Sequence, residues 1–477
     1  MHDSPVDSDI APSGTLLGLL QRGRGDGTLH ALAAPRAEAL AALHHCVLRD
    51  PRNDWQAENR SLYYARLCLQ LDGGLDEIEA HLVHVDDQLD TGEERTGLAL
   101  AVLGHLASYG RDDALHLLRR YAAGGSNWEW ALDELALRDD DTALRALAPV
   151  TLARFPPTPE GDAELARTVR ASFEPRPWRL WAEDPLYGVR VRAAQEQGCF
   201  DRWQRQLRSG APRPGWSVGD VLRWAQQQHE LDPGGRRHDA AARCLAAVAG
   251  PEDRPELLAA AASGPDAPRA AALRHLADTG APEVLDLIEA AVADPLADLV
   301  AHAALSAFER MRSIAALDRA RLWAHRTDAL GTAAAGMLAC RGGPRDSELV
   351  LNALAGTVRT AGSDANALWT LVDGAGRLAI ESAAPVLRHI YRETSSSQLR
   401  GRAARALAAT DPSFGAGFAV ECLWDCEEST RELAARHAAT GDDRVVEQLR
   451  RLAADPAEES EVQTASRSRI APDEPAR

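Results

Sequence analysis

Apolar residues recur along most of this chain at spacings of three and four. The segment Ala114, Leu115, Leu117, Leu118, Tyr121, Ala122 is one example, and Val284, Leu285, Leu287, Ile288, Ala291 is another. That period places them on one stripe of a helix, with Arg, Asp and Glu on the other faces. No comparable stretch alternates with period two, so the pattern predicts an all-α chain. A short motif recurs within it: a helix ending in Leu-Ala, a polar or Gly-containing turn, then a second helix with leucines three to four apart. Gly104-His105-Leu106-Ala107-Ser108-Tyr109-Gly110 leads into Arg111-Asp112-Asp113-Ala114-Leu115. Arg274-His275-Leu276-Ala277-Asp278-Thr279-Gly280 leads into Ala281-Pro282-Glu283-Val284-Leu285, and Gly376-Arg377-Leu378-Ala379 leads into a further helix containing Val386-Leu387. The Leu-Ala step returns at Leu135, Leu245, Leu338, Leu407 and Leu433.

The step recurs at intervals of about 30 residues, two helices to a unit, which is the signature of a repeat array. A single helix pair cannot bury its own stripe, whereas stacked pairs share a continuous core. Gly110 and Gly280 stand where a helix end calls for a left-handed residue. Pro251, Pro255, Pro282 and Pro344 stand near helix starts, where a missing N–H costs little. Asp139-Asp140-Asp141 fits a helix N-terminus. The expected architecture is therefore an α-solenoid of stacked antiparallel helix pairs. On these residues the chain resembles HEAT-repeat proteins, in particular short bacterial HEAT-like repeats of the phycobilin-lyase type. The resemblance covers residues 236–455 well and 60–153 more loosely. It implies a fold and carries little about function; chromophore handling, which some such proteins perform, would be its most distant implication.

The array is irregular over 155–235. That stretch holds nine of the 26 prolines and five of the 11 tryptophans: Trp178, Trp181, Trp203, Trp216 and Trp224. Residues 151–235 carry a formal charge of +1, against −12 for residues 1–150 and −7 for 236–477. The expected organisation is a disordered start (1–12), helical repeats (13–154), an irregular but still helical Pro/Trp/Arg-rich segment (155–235), HEAT-like repeats (236–455) and a disordered tail (456–477). Residues 187–194 still read as a repeat helix within the irregular part.

Composition removes several chemistries. All 53 basic residues are arginine, and there is no lysine. A Walker-type phosphate loop, a protein-kinase site and Schiff-base or pyridoxal chemistry all need that amine. The net charge of −18 speaks against a general nucleic-acid coat. Seven scattered cysteines fit reduced thiols, and the absence of an apolar leader or a long apolar run fits a cytoplasmic protein that does not enter a membrane. Cys422-x-x-x-Cys426, His44-His45 and His81-x-x-His84 lack the further ligands a zinc site needs, so neither metal nor cofactor is expected. Lysine-free surfaces can arise by mutational bias towards Arg, or by selection near lysine-modifying machinery.

The candidate binding residues are Trp128, Trp130, Arg176, Trp178, Arg179, Trp181, Arg190, Arg192, Trp203 and Arg205. Trp and Arg are the side chains most enriched where partners bind tightly, and Arg can also stack on an indole. The functional expectation is a non-enzymatic scaffold or adaptor that holds a partner protein or peptide. The segment Trp128-Glu129-Trp130-Ala131-Leu132-Asp133-Glu134 supports an alternative. It is similar to the Trp/Asp helix of alkylpurine DNA glycosylases built from HEAT-like repeats, which implies Trp128, Trp130, Asp133 and Glu134 around a cationic base. In that comparison Trp128 and Asp133 are five apart, a spacing expected to turn them away from each other. Trp130 and Glu134 have the right spacing, with Glu in place of Asp.

Overall fold

In the computed structural model, residues 10–52, 56–88, 92–196, 215–231, 237–294 and 298–470 are described, and all their regular structure is helical. Among them no helix is long and apolar enough to cross a membrane. The chain forms two compact units. The first contains residues 1–207, 391–404 and 412–477; the second contains 208–390 and 405–411. The boundaries expected from composition, at 154/155 and 235/236, do not coincide with this division. The last residues of the apparent C-terminal array belong to the unit that starts the chain.

The repeated Leu-Ala step has a common ending. Gly110 (φ 83°) donates its N–H to the Ala107 carbonyl, and Arg111 donates to Leu106. Gly280 (φ 73°) and Ala281 make the equivalent bonds to Ala277 and Leu276. These paired bonds close the last carbonyls of a helix through one left-handed residue. The same pair recurs at Ala379 (φ 49°), where Ala379 bonds to Gly376 and Ile380 to Ala375. Gly23 and Asp72 hold two further left-handed ends that the Leu-Ala motif does not mark. At the other end of the helices, Asp140 accepts from the Ala143 N–H, as an acidic N-cap should.

In the second unit, helices pack on their chain neighbours and on the next but one. Asp266–Asp278 lies against both Arg237–Val248 and Asp298–Arg310, and Ala329–Arg341 against Leu368–Arg377. Small residues permit the close approach: a Cβ at Gly374 would meet the backbone of Ala339, and one at Gly376 that of Ala406. The ion pairs of this unit include solvent-facing ones such as Arg254–Glu283 and Arg326–Glu289.

The first unit packs similarly through residues 61–152, but it also joins the two ends of the chain. Helix Gly25–Ala33 contacts Phe418–Cys422. Arg24 bonds Glu421 (2.8 Å), Arg66 bonds Asp455 (2.7 Å) and Glu458 (3.0 Å), and Glu58 accepts from the Ser397 N–H (2.7 Å). Arg400 and Asp425 form a fully buried pair (2.7 Å), and Arg431 pairs with Glu458 (2.7 Å). Repeats that touch only their sequence neighbours would not provide the contacts of Arg24, Arg66 and Glu58, which span more than 300 residues. The C-terminal stretch read as a disordered tail from 456 is corrected here. Ser460–Ile470 is a helix that packs on Asp443–Ala454 and Glu428–His437, burying Val462, Ala465 and Ser466. Its apolar residues are few and small, so polarity concealed a packed helix. Residues 1–9 and 471–477 lie outside the described residues, whereas Ala11 is already tied down by the Gln21 side chain.

Candidate functional site

The aromatic segment starts at a fixed turn. Asp87 accepts from the Tyr121 hydroxyl (2.6 Å), the Ser126 N–H (2.8 Å) and Arg95 (3.1 Å). Asn127 donates to Thr96 Oγ1 (2.8 Å). This anchors the first turn of helix Trp128–Arg138, whose buried stripe is Trp128, Ala131, Leu132, Leu135 and Ala136. Trp128 rests edge-on against Phe155, and the Arg154 guanidinium lies 5.2 Å from its ring centre.

Helix Pro159–Ala171 begins with a Thr158 cap and Pro in its first turn, then ends at Ser172. The turn that follows is tied back to the Trp helix, because Asp133 Oδ1 accepts the Glu174 N–H (3.1 Å). Helix Arg176–Ala182 comes next. Its Trp178 and Trp181 pack edge to face, 4.9 Å apart.

Together these three segments enclose a cavity of about 240 Å³. Trp128, Trp130, Asp133 and Trp178 line it, with Glu129 and Phe173. Trp128 and Trp178 are nearly buried and form the floor, whereas Phe173 is 84% exposed and stands at the rim. The indole Nε1 of Trp178 is buried with no hydrogen-bond partner. Burial pushes the Asp133 carboxyl up to about 6, partly opposed by the backbone N–H groups of Glu174 and Phe173. The site therefore combines aromatic walls with a carboxylate whose charge is poorly compensated.

Four of the candidates drawn from sequence meet here: Trp128, Trp130, Asp133 and Trp178. The expectation that Trp128 and Asp133 diverge is corrected, since both line the one cavity. Trp128 begins the helix and is large enough to reach the cavity from beneath. Glu134 is not part of the lining. It pairs with Arg138 (2.6 Å) and fits only because residue 104 is glycine, where a Cβ would collide with its carboxylate. Burial and the neighbouring Asp133 push Glu134 up to about 7, with Arg138 acting in the opposite sense.

Trp181 is corrected from a binding to a core residue. It is fully buried and donates Nε1–H to the Leu144 carbonyl (2.8 Å). The arginines are largely committed within the fold. Arg176 pairs with Asp141 (2.5 Å) and donates to Ala136 O, while Arg190 pairs with Asp162 (2.6 Å) and donates to Phe155 O. Arg192 donates to the Ala182 carbonyl, and Arg179 is exposed. Trp203 and Arg205 lie outside the described residues.

Sequence reasoning missed Phe173 and Glu129. The only signal for Phe173 was its place among polar turn residues, between Ser172 and Glu174-Pro175. The cysteine pair is accounted for within the core: Cys422 lies 3.2 Å from the Tyr391 hydroxyl, and Cys426 accepts from Arg400 at 3.4 Å. Among the described residues no group of three or more His, Cys, Asp or Glu side chains is placed to hold a metal ion. No protein-family model, curated protein or solved structure matches this chain.

Proposed function

We propose that the chain is a non-enzymatic binding protein built from stacked HEAT-like helix pairs. Its cavity at Trp128, Trp130, Asp133 and Trp178 receives a group projecting from a partner protein or peptide. The observation that carries this reading is the convergence of three tryptophans, from positions up to 50 residues apart, around one accessible hollow. Aromatic hollows with a few placed polar groups are the usual form of a recognition pocket. The decisive experiment is cross-linking of the full-length protein in extract at low salt, with Trp130→Ala alongside. A partner captured by the wild type and lost by the variant is the expected result. Equal capture by both proteins would remove the pocket from the interaction.

One observation favours a second reading, as a glycosylase acting on alkylated bases. Trp130 and Asp133, three apart on a helix, share the cavity with Trp178. DNA binding also needs a grip on phosphate. Arg176 and Arg190 offer little of it, because each is already engaged by a carboxylate and a backbone carbonyl. Release of alkylated purine from methylated duplex by the purified protein, abolished in Asp133→Asn, would establish this reading over the first.

A further inference from the structure

We propose that the cavity bounded by Trp128, Trp130, Phe173 and Trp178 is a receptor for a methylated ammonium group, carried on a lysine side chain of the partner. This rests on the partner-binding reading above and names the chemistry of the occupant. The argument begins with charge. Two acidic residues, Glu129 and Asp133, line the hollow, and no arginine or histidine is among the lining residues. The guanidinium of Arg154, which feels the charge of Glu129 from outside the lining, is held against the Trp128 ring with Nη2 bound to the Ala123 carbonyl (2.9 Å). A cation is therefore the favoured guest, and indole faces stabilise it further through their quadrupoles.

Hydrogen-bonding capacity then selects among cations. A guanidinium or a bare ammonium needs acceptors to replace its water. Asp133 already accepts from the Glu174 N–H, and Glu129 from Thr168 Oγ1 (3.3 Å). Part of the acceptor capacity of these carboxylates is thus spent within the fold. A trimethylammonium donates no hydrogen bond and is weakly hydrated. It loses little on entering such a site and gains both the aromatic contact and the carboxylate field.

Size agrees as well. About 240 Å³ leaves ample room for a trimethylammonium head, and the nearly buried Trp128 and Trp178 supply an aromatic floor beneath it. Phe173, standing exposed at the rim, is placed to flank the aliphatic stem of the guest. The chain's own lack of lysine means that no side chain of another copy could present this group. The guest is thereby assigned to a different protein.

The test is a calorimetric titration of the full-length protein, with tryptophan fluorescence read in parallel. The probes are a short peptide bearing trimethyllysine, the same peptide with unmodified lysine, and a version ending in a neutral tert-butyl group. Saturable binding of the trimethylated peptide is expected, about tenfold or more tighter than either control, from the cation–aromatic contribution. Trp130→Ala and Asp133→Asn should each weaken it by a similar factor. Trp130 is only partly buried, so its variant is expected to fold, and circular dichroism would verify that.

Equal binding of the tert-butyl or unmodified peptide would overturn the proposal, as would unchanged affinity in Trp130→Ala. Binding to phosphatidylcholine vesicles without any response to the peptide would overturn it too, by moving the guest to a lipid headgroup. If a Trp130-dependent partner is captured from extract and its binding ignores methylation, this inference falls while the binding function stands.

Discussion

Two places in the first unit that take carboxylates out of water treat them differently. Where the chain ends meet, Asp425 faces Arg400, Glu458 is gripped by Arg431 and Arg66, and Glu58 accepts from Ser396, Ser397 and Arg60. Despite burial, which acts the other way, these partners hold Glu58 and Glu458 below the ordinary carboxylate range. In the aromatic cavity Asp133 has only backbone donors and is pushed up to about 6. At the junction the partners are unequal: Glu58 and Glu458 each meet several donors, whereas Glu421, with Arg24 as its partner, is itself pushed up to about 7 by burial. The cavity leaves a charge under-compensated, which costs stability and makes sense where a ligand completes the set. Burial alone does not set the direction of these shifts, whereas the number of donors that meet each carboxylate does.

The largest effect should come from opening the junction. Arg400 and Asp425 are both fully buried, so Arg400→Ala strands a carboxylate and should cost about 3–5 kcal/mol. Guanidinium titration, read as a fall in midpoint, measures this. Replacing both partners by apolar residues of similar size should recover most of the loss, which would separate the stranded charge from lost packing. A single-mutant loss below about 1 kcal/mol would contradict the account of the junction as a set of interlocked pairs.

Arginine identity gives a smaller, graded contrast. Arg431 sends two bonds to Glu458 and two more to the carbonyls of Asp425 and Cys426, a pattern lysine cannot copy. Arg431→Lys should therefore cost about 1–3 kcal/mol. Arg444, largely exposed and paired with nearby Asp442, should tolerate lysine with no measurable loss. Paired thermal melts of the two variants would show the difference. The absence of lysine is thus explained by geometry at the junction and unexplained by it on the surface. The expectation that mutational bias or avoidance of lysine modification keeps lysine away therefore bears on the exposed positions.

Much of the helical pattern could be read directly from the sequence. The left-handed ends at Gly110 and Gly280, the Asp140 cap and the helix at 188–196 follow from local residue chemistry and apolar period, which act over a few residues. The joining of the chain ends was not legible. It depends on Arg24, Arg60, Arg66 and Arg400 finding carboxylates or carbonyls more than 300 residues away, or close in sequence but brought in by the fold, and nothing local distinguishes those arginines from exposed ones. The cavity was legible in part. Its tryptophans stood out by type, but Trp178 and its neighbour Trp181 looked equivalent, and only packing separates the lining residue from the one bonded to Leu144. Asp133 was discounted on spacing, a rule that holds for two side chains on a free helix surface and fails where a turn from another element closes over them.

The smallest expected effect is the one that separates the two kinds of site most sharply. Asp133 has a folded-state pKa raised from 3.8 to about 6, so the folded protein holds its proton more tightly than the unfolded chain. Its contribution to stability is therefore fully present below about pH 4 and is lost as pH rises through 6. Glu134, raised to about 7, adds to the same trend over a slightly higher window. Asp133→Asn keeps an oxygen for the Glu174 N–H and removes the charge. It should leave stability at pH 7 unchanged or slightly higher, by a few tenths of a kcal/mol, and flatten the rise in stability between pH 7 and pH 5. Urea midpoints at pH 5, 6 and 7 for both proteins provide the measurement. At the junction the corresponding change, Glu458→Gln, should lower stability at neutral pH, because a carboxylate with a depressed pKa stabilises the fold once it is ionised. A loss of stability in Asp133→Asn at pH 7 as large as that in Glu458→Gln would mean that Asp133 is a structural tie and that the cavity carries no charge kept for a guest.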